Sequence, residues 1–570
     1  MTLIDVIVGT AIMLVIFLAI FGAFRISVEL VYSTKAKTGA VSIMTEHLEY
    51  IRGLPYASVG TVGGIPAGGI PQSEEESLNG VTYTVHTLIQ YTDAPEDGLD
   101  TNDENGITAD YKTVKVEVVW SVKGSLRSTF AVTDIAPKGE ESLNGGGTLH
   151  INVFDQAASP VVGATVRIVN SGTDPTIDVS AETNTSGIVS FPGAPEATGY
   201  EIYVSKSGYS SAQTYGVTSE NPNPSPIHVS VVEAQTTTAS FAIDRDASLH
   251  FTTYAPAGPG SFFDTFTGSS GLSSLNQTAV VGGALVLDED PDTGYPASGN
   301  AFSDPVSPSY LVNWDEITFS TSTPAGTALV VRLYYDDNGT YTLVPDTDLP
   351  GNSAGLTESP IDISSLDTGD YTTLQLGAFL TSEDTAVTPR LLDWELSYVA
   401  GPTPLPGVAL DIHGAKTIGT NAEGEPVYKY DALFTTNSTA EWTIDPAEWD
   451  DYTISLNDTT AYNVVERCPN VVAPDPGQDL DVSIIVGDNT AHALRASVTD
   501  ESDNPVAGAS VTLSGPESAS GTTDACGQAY FGGIATGVYS VTITKSGFET
   551  HQENVGVNGE TEYSLSLYAN

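Results

Sequence analysis

The chain has 570 residues, more than one hydrophobic core can hold, so several domains are expected. Its 19 Lys and Arg against 72 Asp and Glu give a formal charge of -53, which makes nucleic acid and anionic lipid headgroups poor partners for the head, since both would be repelled. Abundant Gly and Pro, few Lys and short alternating segments read as extracellular β domains, and no helix is expected after residue 52.

Residues 1–24 form a near-continuous apolar run, long enough to span a bilayer and broken by one carboxylate, Asp5. A charge in hydrocarbon is costly unless it has a partner or a purpose. The nearest cation is the α-amino group of Met1. The two can approach within one helix, but pairing with the amine of a neighbouring copy explains why the charge lies in the most apolar segment. That pairing implies polymerisation.

The run Met1, Thr2, Leu3, Ile4, Asp5 leading into a hydrophobic helix resembles the N-terminus of type IV pilins and pseudopilins. That family usually has Glu at the fifth position, so Asp5 keeps the charge and shortens its reach by one methylene. It often has Pro at position 22; here Gly22 loosens the helix without removing a hydrogen-bond donor. Local unwinding between Gly9 and Gly22 is expected in an assembled bundle. The resemblance implies numbering from a mature, methylated N-terminus and assembly through Met1, Asp5 and Gly22. It also implies contact with an inner membrane and pilus assembly machinery first, and self-association in a helical homopolymer afterwards. A secretory signal peptide is not expected, for want of a basic n-region and a small-residue cleavage site.

Helix is expected to continue to residue 52, with Val41, Met44, Leu48 and Ile51 on one face and Gly53 as a stop. Such a helix is roughly 75 Å long, and its second half must carry a head. Strands rich in Val, Thr and Tyr are expected at 81–91, 111–122 and 126–132, completing a pilin-like β domain over 53–145. Within it, Asp97, Asp100, Asn102, Asp103 and Asp110 gather oxygen ligands around glycines, as hard cations favour. Two readings stand: a calcium loop, lacking the bidentate Glu of a full EF-hand, and a solvated acidic turn.

Residues 149–168 and 494–513 are internal relatives: Pro160, Gly163 and Ala164 fall on Pro505, Gly508 and Ala509, and Lys206-Ser207-Gly208-Tyr209 falls on Lys545-Ser546-Gly547-Phe548. This pattern resembles the carboxypeptidase regulatory-like β-sandwich, an immunoglobulin-like module that is not the peptidase and usually acts as a spacer or adhesive unit. It places sandwiches at 146–244 and 489–570. Between them, a jelly-roll-like domain is expected at 245–402 and a divergent sandwich at 403–488, joined by the stiff Pro-rich stretch 401–407. The fold class is therefore α+β and multidomain: a long N-terminal helix and small antiparallel sheet, followed by all-β sandwich and jelly-roll domains. Cys468 and Cys526 are expected to pair in an oxidising compartment, the alternative being two partly buried thiols.

No catalytic set is evident: the eight His are scattered, and His-Glu-x-x-His, Gly-x-Ser-x-Gly and phosphate-loop motifs are missing. Trp314, Trp394 and Trp442 read as core residues rather than sugar platforms. Five Asn-x-Ser/Thr sites are assigned no modification. The expectation is a non-enzymatic subunit of an extracellular filament, without a cofactor unless calcium binds. Its β domains would meet cell-surface or glycan targets and no nucleic acid. A minor or tip pilin is the alternative, with a single-pass surface enzyme behind it.

Overall fold

The computed structural model describes residues 3–93, 110–138, 146–457 and 461–570, leaving aside the side chains of 3–11 and 15. Helix α1 (Leu3–Arg52) runs unbroken through Gly9 and Gly22 and ends where Gly53 donates its N–H to the Glu49 carbonyl at 3.1 Å. Its two halves live in different surroundings. From Ile12 to Tyr32 the large apolar side chains are exposed, Met13 at 74% and Phe17 at 65%. From Ala36 onward, Ala36, Ala40, Ile43, Leu48 and Ile51 are buried at helical spacing. That face is rotated from the expected one: Val41 is 39% exposed, because small residues, not Val41, face the sheet.

The sheet comprises β1 (Ser73–Leu78), β2 (Val81–Thr92), β3 (Tyr111–Val122) and β4 (Ser125–Ile135), antiparallel and in sequence order. β1 is a strand the sequence reading missed; its Glu run hides the pattern. Asn79-Gly80 and Lys123-Gly124, all four at positive φ, turn the hairpins tightly. Tyr83, Val85 and Ile89 of β2 meet Val114, Val116 and Val118 of β3 under the helix. There the Tyr83 hydroxyl donates to the Ala36 carbonyl at 2.9 Å.

Three sandwiches follow, each with its first and last strands hydrogen-bonded in parallel: Gly146–Phe154 with Thr236–Ala242, Ala247–Ala255 with Asp479–Asp488, and Ala493–Thr499 with Glu560–Ser566. The middle one corrects the expected start of the jelly roll at residue 245. Ala247, Leu249 and Phe251 share one core with Val408, Leu410, Ile484 and Val486, so the strand at 247–255 belongs to the domain that resumes at 403. The jelly roll is an insertion within it, leaving and returning side by side where Ala255 pairs with Thr403 and Tyr254 with Pro404. Its two sheets enclose Trp314 and Trp394, both fully buried. Trp442 departs from the expected core position: it stacks on Phe434 at 5.1 Å and is 38% exposed.

The three sandwiches repeat in detail. Thr183, Thr436 and Thr523 accept the N–H of Ala164, Val408 and Ala509 on their hydroxyls. The next residues, Asn184, Asn437 and Asp524, each accept two backbone N–H groups on a side-chain oxygen. Tyr200, Tyr452 and Tyr539 donate to the carbonyls of Pro195, Glu448 and Ala535. In the middle copy Ala440 stands at positive φ where its counterparts have Gly187 and Gly527. That substitution, and the insertion, conceal the repeat from sequence comparison.

Candidate assembly surface and interdomain junctions

The exposed half of α1 is a surface of Ile, Leu, Val, Met and Phe, long and apolar enough to cross a membrane. Where it meets the β1–β2 turn lies a groove of about 680 Å³ lined by Leu30, Val31, Thr34, Thr38, Gly39 and Leu78. Lys123 at the β3–β4 turn pairs with Glu29 at 2.6 Å. On the other side His47 sits 2.7 Å from Glu76 and 3.5 Å from Glu74. Lys112, buried, donates to the carbonyls of Tyr56 at 3.0 Å and Val59 at 2.9 Å.

Each domain is tied to the next through backbone groups. Between head and proximal sandwich, Asp178 donates its N–H to the Gly63 carbonyl at 2.8 Å, and Gln72 donates to the carbonyls of Val62 and Asp178. Between proximal and middle sandwiches, Asn221 and Ser225 both donate to the Ile418 carbonyl, and Lys429 reaches the Ser211 carbonyl at 2.6 Å. Nearby Lys416 lies 3.3 Å from the Trp449 ring centroid and 2.9 Å from Glu448; burial lowers its pKa.

Between middle and distal sandwiches the tie is covalent. Cys468 and Cys526 form a disulfide with Cα atoms 5.6 Å apart. Beside it Glu466 is raised to about 7, first by burial and then by the neighbouring Asp524 carboxyl. Glu466 and the two sulfurs lie close enough to hold a metal, but joined sulfurs offer no thiolate.

Of the residues singled out in the sequence, Met1 and the Asp5 side chain lie outside the described residues, as do Asp97, Asp100, Asn102 and Asp103. Asp110 is placed at the entry to β3, its N–H donated to the Thr92 carbonyl at 3.1 Å. Gly22 sits in regular helix with open space around its Cα. Ser248, His250 and Asp479 come together on adjacent strands, but the serine hydroxyl donates to Asp479 directly and lies 3.4 Å from the imidazole. The carboxylate therefore binds the serine and does not orient the histidine as a base. His150 and His228 are hydrogen-bonded to Ser190 and Thr214 across their sheets.

Residues 493–568 match the family model of the carboxypeptidase regulatory-like domain. No curated protein sequence matches the chain. Among solved structures it is similar to the Bacillus anthracis TIE protein, at 12% identity over 88% of this chain and 75% of that one, with a TM-score of 0.15. It is also similar to BcpA, the major pilin subunit of Bacillus cereus (11%, 74% and 99%, TM-score 0.13). A third is GBS52, a minor pilin of Streptococcus agalactiae (13%, 30% and 86%, TM-score 0.13).

Proposed function

We propose that the chain is a non-enzymatic, type IV pilin-like subunit that polymerises through α1 and displays its sandwiches and jelly roll outside an extracellular filament. The observation that supports this most is the division of α1. One half has a built core around it, while the other exposes about twenty residues of largely apolar surface that the other described residues leave uncovered. Lipid accepts such a surface before assembly, and neighbouring helices accept it afterwards. Asp5 adds a charge that only a partner makes tolerable, and the Met1 amine of the next copy supplies one. The outer domains, repeated along a polymer, would engage a surface or glycan through many weak contacts.

Shearing and helical reconstruction test the reading. The chain should dominate the sheared filaments, and Asp5→Ala should abolish them, because an unpaired amine in an apolar bundle costs roughly 3 to 5 kcal/mol per subunit. Filaments of normal number from Asp5→Ala cells would sink the proposal. Near absence of the chain from sheared material would make it a tip component.

A further inference from the structure

The head sheet is electrically polar across its width. Between Arg52 and Lys112 the sequence has no Lys or Arg, and Glu74, Glu75 and Glu76 follow one another on β1. From 112 to 138 stand five of the chain's 19 cations, Lys112, Lys115, Lys123, Arg127 and Lys138, against two carboxylates, Glu117 and Asp134. Lys112 is buried and Lys123 is held by Glu29, but Arg127 is exposed and has no ion pair among the described residues.

β1 and β4 are the two edges of this sheet. On the outer face of β4, Leu126, Phe130 and Val132 are 76%, 60% and 52% exposed. Folded chains normally blunt such an edge, because bare backbone groups beside apolar side chains are a template for another strand. Among the described residues no further strand pairs with it, and Arg127 on β4 with Lys138 beyond its end, against Asp134, gives it a small positive excess that the Glu run of the edge at the far side of the same sheet complements. Because strand direction alternates from β1 to β4, a second copy set beside the first in the same orientation continues the antiparallel order. Such a contact is heterologous and does not close, so it propagates.

We propose that the apolar edge β4 of one copy, carrying the unpaired Arg127, docks against the acidic edge β1 of the next, so that head sheets as well as helices bind neighbouring subunits. This rests on the reading of the chain as a filament subunit.

Cysteine pairs read the contact directly. Glu75, Thr84, Val119 and Ser128 lie in one row across the sheet. Three strand spacings put Glu75 and Ser128 of one copy about 14 Å apart, too far for an internal disulfide. Full-length chain carrying Glu75→Cys with Leu126→Cys, Ser128→Cys or Phe130→Cys should give, in at least one pair, a ladder of covalent oligomers from oxidised filaments. The single variants should not ladder. Phe130→Asp should lower filament yield at least tenfold while the membrane-inserted subunit stays at its normal level. Filaments without a ladder in all three pairs, or full yield from Phe130→Asp, overturn the inference alone. Loss of filaments in Phe130→Asp with no ladder also overturns it and points to a membrane surface as the occupant of β4. A wild-type chain that makes no filaments overturns the underlying reading as well.

Discussion

Gln528 of the distal sandwich grips the backbone of Arg467 in the middle one: its Oε1 accepts the Arg467 N–H at 3.1 Å and its Nε2 donates to the Arg467 carbonyl. The same Oε1 also accepts from Arg495 at 2.8 Å, and the whole side chain is 1% exposed. Gln528→Ala would leave a buried backbone pair and a guanidinium N–H without partners. A loss of about 2 to 4 kcal/mol is expected, read as a lower midpoint for unfolding of the last two sandwiches.

Removing the adjacent disulfide acts through the unfolded chain. With the two cysteines 58 residues apart, Cys468→Ser or Cys526→Ser should cost about 4 kcal/mol in the chain-entropy picture. Combined with Gln528→Ala the losses should fail to add, since both act on one junction. Additive losses would mean that the two ties act independently.

The junction should also respond to pH. Glu466 is raised from 4.5 to about 7 in the folded chain, so the folded state binds the extra proton through that interval. Stability is then full below the unfolded value and falls as pH rises toward about 7. Glu466→Gln should flatten this slope in melting curves taken from pH 4 to 8, and an unchanged slope would assign it to other groups.

Gly39 sets two effects against each other. Inside a helix, Gly→Ala ordinarily gains up to about 1 kcal/mol. A Cβ on Gly39, however, would stand 2.5 Å from the Tyr83 hydroxyl that bonds Ala36. Overpacking of this kind costs typically about 1 to 3 kcal/mol, so Gly39→Ala should be net destabilising. In the background of Tyr83→Phe the penalty should shrink, a comparison that thermal melts of the detergent-solubilised chain provide.

The jelly roll should be removable. Its ends emerge as neighbouring strand residues, Ala255 paired with Thr403, at the turn that the proximal sandwich closes with residues 155–159. Replacing residues 255–403 by that five-residue turn should leave the middle sandwich folded, with protease resistance and the Cys468–Cys526 bond intact. Collapse of the middle sandwich in this variant would show that the insertion supplies part of its core.

The sequence by itself settled what depends on near neighbours along the chain. The helix to residue 52, its Gly53 stop, the strand-rich body and the two sandwiches that share Pro, Gly and Ala spacings could all be read directly. So could the candidate pairing of Cys468 with Cys526, on parity and compartment. What only the tertiary structure decided involves partners far apart in sequence. Strand 247–255 looks like the start of the jelly roll because 147 residues separate it from the rest of its own sheet. The middle sandwich hides its kinship because Ala440 replaces a glycine and an inserted domain replaces a turn, although Thr436, Asn437 and Tyr452 make the repeated hydrogen bonds. The buried face of α1 shifted for the same reason. Local hydrophobicity favours Val41, but the sheet approaches closest where Ala36, Gly39 and Ala40 leave room for Tyr83. A side chain's own polarity is written in the sequence; which backbone comes to meet it is fixed only when the chain has folded.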